Sequence, residues 1–139
     1  MNPSRAVSSL LPDWATDVEA MSRVPIITLD QAIKRFGSPT FCKIDVEGFE
    51  LEVLKGLTCP IPCVSLEYHL TERDIHKTLA CVAYLSRMGR LSINITLGEE
   101  PSFAWPWAVD HDEFRRIFPE KAPRSPTCGY GDIVIQMAH

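Results

Sequence analysis

The chain has 139 residues, 14 Lys and Arg against 18 Asp and Glu, a net charge of -4 and 45% hydrophobic residues. That length fits one domain able to bury a substantial core, and a composition this close to the soluble globular average excludes intrinsically disordered and membrane-spanning classes. An acidic balance repels a phosphate backbone and no apolar run reaches spanning length, so neither a nucleic-acid nor a membrane partner is expected.

Residues 1–23 read as an irregular lead-in, polar and broken by Pro3 and Pro12. The β-branched run VPIIT at 24–28 predicts a short strand, and LDQAIKRFG a helix with Asp30 as N-cap and Gly37 as its stop. TFCKIDVE predicts a buried strand, after which Gly48 releases the chain into the helix FELEVLKG, with Leu51 and Leu54 on one face. CVSLEYHL is the next strand. Thr71 and Asp74 then have the spacing of a cap ahead of Ile75, Leu79, Val82 and Met88, the stripe of a helix ending at Gly89. RLSINITLG alternates as a half-exposed strand, and the glycosylation sequon at Asn94 within it is read as fortuitous. A Trp-Pro-Trp loop, a short helix near DHDEFRRIF and the strand GDIVIQM complete the chain. Strands alternating with helices predict an α/β fold with a largely parallel sheet.

Five cysteines, Cys42, Cys59, Cys63, Cys81 and Cys128, are an odd, scattered set that suits a reducing, cytoplasmic setting rather than a disulfide framework. The CPIPC pair has the look of half a zinc site, but no second pair follows at ligand spacing, and no metal is assigned. The first residues lack the apolar core of a signal peptide.

The chemistry concentrates where strands give way to helices, the place where open α/β sheets bind ligands. Strand alternation puts Lys43, Asp45 and Glu47 on one side, and the next strand ends with Glu67 and His69, so four titratable groups are expected at adjacent strand ends. Two readings of the D-x-E pair stand side by side: catalysis, or structure, with Glu47 capping the helix and Asp45 pairing with Lys43.

ITLDQAI followed by KIDVEGFELEVLKGL, then SLEYH and a terminal GDIVI, resembles the central and C-terminal part of FkbM-type methyltransferases, over roughly Ser8 to Met137. The resemblance implies an α/β fold: a partial class I methyltransferase, Rossmann-like sheet of mostly parallel strands with an antiparallel C-terminal strand. It implies methyl transfer from S-adenosylmethionine to a hydroxyl of a sugar, polyketide or related small-molecule acceptor. KIDVEG would mark Lys43, Asp45, Glu47 and Gly48 as the end of the family's fourth strand, beside the methyl donor, and Glu67 the acidic end of the fifth. In such a reaction the expected roles are Asp45 and then Glu47 in orienting donor or acceptor, with Asp45, Gly48 and Glu67 in cofactor binding; His69 reads either as the base or as a satisfied strand-end histidine.

Such families cradle the donor with a glycine-rich turn after the first strand and an acidic residue after the second, and neither pattern occurs here. Residues 24–139 are therefore expected to be the C-terminal half of a methyltransferase domain, the cofactor-binding half being absent, with S-adenosylmethionine binding by this chain alone in doubt. TFCKIDV would then be an exposed sheet edge that VPIIT folds back to shield or through which the chain self-associates. The alternatives are a truncated, non-catalytic remnant serving as an interaction module, and a metal-dependent hydrolase using Asp45, Glu47, Glu67 and His69. Paired carboxylates bind magnesium, but no third oxygen ligand is evident, so metal-free transfer is preferred.

Overall fold

The computed structural model describes residues 25–122 and 129–138, so the lead-in and Cys128 lie outside the described residues. The elements run α1 (Leu29–Phe36), β1 (Cys42–Ile44), α2 (Glu50–Lys55), β2 (Cys63–His69), α3 (Glu72–Leu85), β3 (Arg90–Ile95), α4 (His111–Lys121) and β4 (Tyr130–Ala138). No helix among the described residues is long and apolar enough to cross a membrane.

The expected first strand does not form. Pro25 to Thr28 is irregular and Ile26 is 85% exposed; a proline offers no N–H to a ladder, and no described strand lies beside this stretch to pair with it. The cap of α1 is Thr28 rather than Asp30. Its hydroxyl accepts from the Gln31 amide while the Gln31 side chain accepts from the Thr28 amide, a reciprocal capping box. Asp30 instead accepts from the Thr58 amide and hydroxyl, at 2.9 and 2.8 Å, and so ties α1 to the loop after α2.

The sheet has four strands in the order β1-β2-β4-β3. β1 and β2 are parallel, whereas β4 runs against both β2 and β3. The C-terminal strand is antiparallel as expected, but it inserts between β2 and β3, so the parallel character is met only in part. β1 forms one edge of the sheet.

Alternation sends Ile44, Leu66, Tyr68, Ile93, Ile133 and Ile135 to one face, where they join Leu54 of α2, Leu85 of α3 and Phe118 of α4 in a single core. Phe118 meets Tyr68 edge-on at 5.3 Å and stacks on Phe114 at 4.7 Å. Each such side chain fully buried contributes about 1.5–3 kcal/mol. α3 begins at the expected Thr71 cap, which accepts from the Asp74 amide, but it closes at Leu85 rather than running on to Met88.

The opposite face of the sheet carries Lys43, Ser65, Glu67, Asp132 and Gln136. β3 is less exposed there than its alternation suggests. Asn94 is buried because the loop holding Trp105 folds over it; its side chain donates to the Trp105 carbonyl and accepts from the Trp105 amide.

Candidate functional site

β1 ends at Ile44, three residues earlier than the TFCKIDVE pattern suggests, because Glu47 and Gly48 both take positive φ, 54° and 96°, and turn the chain sharply. For glutamate that conformation is strained, and for Gly48 it is free of a Cβ clash. The turn is held by Glu50, whose buried carboxylate accepts from the amides of Val46 (3.3 Å) and Gly48 (3.0 Å). Glu47 is therefore not the cap of α2, and the N-cap residue Phe49 makes no side-chain cap.

The result is a row of acids across the carboxyl ends of β1 and β2. Asp45, Glu47 and Glu67 each present a carboxylate oxygen, and these oxygens lie within 4.8 Å of one another. Glu67 thus supplies the third oxygen that sequence inspection did not find. By charge and spacing the three could share a divalent cation. Lys43 already stands 3.8 Å from Asp45 as a counter-charge. Cys59 is exposed and Cys63 half-buried, and among the described residues neither belongs to a group that could hold a metal.

Burial is the largest influence on Glu67 and pushes its carboxyl above the ordinary value; the charges of Asp45 and Glu47 push the same way, and His69 partly offsets them. His69 lies two residues along β2, its Nε2 3.3 Å from Glu67 Oε2, with its ring tilted against Tyr130 at 6.1 Å. All four expected groups, Asp45, Glu47, Glu67 and His69, therefore gather at adjacent strand ends. His76 is exposed on α3 and takes no part.

A cleft of about 410 Å³ opens between the end of β2, the 47–50 turn and α3. Glu47, Gly48, Glu67 and His69 line one side, and Arg73, Lys77 and Thr78 the other. Cys81 also lines it, but burial, aided by the Glu50 carboxylate, pushes its thiol up to about 12, so it stays protonated and is no nucleophile. Glu50, Thr78 and Asp132 were not picked out from sequence. Asp132 had a signal, an acid opening an otherwise apolar strand, whereas Glu50 is one of three glutamates within six residues and nothing local distinguishes it.

A family model described as the methyltransferase FkbM domain matches residues 3–130. No curated protein and no solved structure gives a significant match.

Proposed function

The chain belongs to the FkbM methyltransferase domain family, and from that membership we propose that it serves methyl transfer from S-adenosylmethionine to a hydroxyl oxygen of a small-molecule acceptor. The observation that carries the reading is the Glu67–His69 pair, 3.3 Å apart, set beside the carboxylates of Asp45 and Glu47 at the mouth of a cleft.

When bound, the donor supplies an activated methyl group on a cationic sulfonium. The acidic row suits that charge. Asp45, Glu67 and the backbone of Gly48 would hold the donor, though among the described residues no glycine-rich turn between a strand and a helix accompanies them. Glu47, lining the cleft beside Glu67, would orient the acceptor. Methylation of an acceptor hydroxyl would release its proton, which the chain must take up. With Nε2–H donated to Glu67, His69 has Nδ1 free to take that proton, and the Glu67 carboxylate balances the imidazolium.

The test is transfer of a labelled methyl group to hydroxyl acceptors. Asp45→Asn should lower the rate on the order of 100-fold or more with the fold intact, and His69→Gln should have a smaller effect. An Asp45→Asn protein that melts much earlier, with unchanged activity per folded molecule, would make that carboxylate structural.

A further inference from the structure

Resting on that reading, we infer that the acceptor is a small hydroxy carboxylic acid whose carboxylate is held by Arg73 on the α3 wall of the cleft, its hydroxyl lying at the acidic wall. The two walls carry opposite charge. Glu47 and Glu67 stand on one side; Arg73 and Lys77, four residues apart on α3 and so on one face of that helix, stand on the other. Lys77 already has a counter-charge, its ammonium 3.3 Å from Asp74 Oδ1, and the Asp74 carboxylate is further engaged by the Thr71 hydroxyl. Arg73 has none. It is exposed and lines the cleft, and among the described residues its guanidinium makes no hydrogen bond, ion pair or ring contact.

An unpaired guanidinium in a concave site offers a planar fork of donors that matches a carboxylate. The opposite wall decides which anion suits. A phosphate dianion would meet about twice the repulsion from Glu47 and Glu67 that a singly charged carboxylate meets at the same place. A neutral alcohol would draw nothing from Arg73. Only a molecule with its charge at one end and its hydroxyl at the other uses both walls, the hydroxyl meeting His69 and Glu67 and the carboxylate turned away from the acids. Leu66 and Ile133 supply apolar lining for the short carbon skeleton between. The cleft volume lies within the range of about 300–1,000 Å³ typical of small-molecule sites.

The experiment is an NMR titration of the full chain with lactate, 3-hydroxybutyrate and 4-hydroxybenzoate, each beside its own methyl ester, and with 3-hydroxypropyl phosphate. At least one acid should shift the amides around Arg73 and bind roughly three- to tenfold more tightly than its ester, a preference that shrinks at high salt. Arg73→Gln should bring the acid down to the affinity of the ester and leave the ester unchanged, Arg73→Lys should recover part of the difference, and Lys77→Gln should cost less than Arg73→Gln. The unchanged ester reports an intact cleft. No binding by any acid, equal affinity for acid and ester, or an Arg73→Gln protein that keeps the preference overturns the inference. Tighter binding of the phosphate overturns the choice of a carboxylate, and displacement of the acid by S-adenosylmethionine would give Arg73 to the donor's own carboxylate and overturn it as well. Methyl transfer to neutral alcohols as fast as to the acids and indifferent to Arg73→Gln would overturn it and leave the methyltransferase reading standing. Arg73-dependent binding of an acid without transfer from S-adenosylmethionine would keep the carboxylate site and remove that reading.

Discussion

Lys43 on β1 reaches across β2 to grip Asp132 on β4, its Nζ 2.9 and 3.1 Å from the two carboxylate oxygens, and leaves Asp45 at 3.8 Å. The bond to Asp132 is the main reason that the ammonium of Lys43 holds its proton more tightly than an ordinary lysine. Asp132 thus holds Lys43 more closely than Asp45 does, leaving Asp45 only the longer 3.8 Å ion pair.

Replacing Asp132 by Asn should free Lys43 to move onto Asp45. Both partners are partly exposed, with side chains 46% and 27% accessible, so the loss of stability should be about 1 kcal/mol or less. On the proposed role of Asp45, methyl transfer should fall several-fold as Lys43 masks its carboxylate. Urea unfolding and the labelled-methyl assay together check this; a large stability loss with unchanged transfer would contradict it.

Glu50→Ala tests the turn itself. The amides of Val46 and Gly48 lose a shared charged acceptor, which should cost about 1.5–3 kcal/mol. Hydrogen exchange at the Gly48 amide should accelerate, and Glu50→Gln should recover part of both effects. Unaltered exchange at Gly48 would show that the strained backbone holds its shape without the carboxylate.

Glu67 gives a pH dependence with a defined sign. Its carboxyl is raised in the folded protein, so between its ordinary value and its folded value the native state binds more protons than the unfolded chain, and stability falls as pH rises through that window. Glu67→Gln should therefore raise Tm at pH 7, with the gain fading as pH drops below about 4.5, where the carboxyl is protonated in either state. Thermal melts of both proteins from pH 3 to 8 decide it, and a gain that persisted at pH 3 would have another origin.

Much of this neighbourhood is legible in the sequence. Apolar runs ending in KIDVE and SLEYH bring Asp45, Glu47, Glu67 and His69 together, and Thr71 announces the start of α3. The reason for the gathering is not legible, since period-two alternation cannot continue through the positive φ of Glu47 and Gly48. The loop burying Asn94 likewise defeats a pattern that reads as solvent-facing. Asp132 lies 89 residues from Lys43, a distance no local pattern spans. Pro25 misleads in the other direction, as β-branched residues around it resemble a strand that joins no ladder among the described residues.

Gly131 is a position where a single methyl group should be felt across two strands. A Cβ there would overlap the carbonyl oxygen of Thr96 and come to 3.0 Å from the Tyr68 ring, and the same carbonyl accepts a 2.9 Å hydrogen bond from the Tyr68 hydroxyl. Gly131→Ala should cost about 3 kcal/mol or more, whereas Gly129→Ala, with open space around it, should be nearly neutral. Equal melting temperatures for the two variants would disprove the crowding.

The placement of β4 between β2 and β3 sets an order of events during synthesis. Until β4 has been synthesised, β2 and β3 have no strand to join them, Lys43 has no Asp132 to hold, and the Tyr68 hydroxyl has no fixed Thr96 carbonyl beside it. Closing contacts this distant in sequence is slow. The sheet can therefore close only once β4 is available, and a nascent chain halted before Tyr130 carries Asp45, Glu47, Glu67 and His69 with Lys43 not yet held by Asp132.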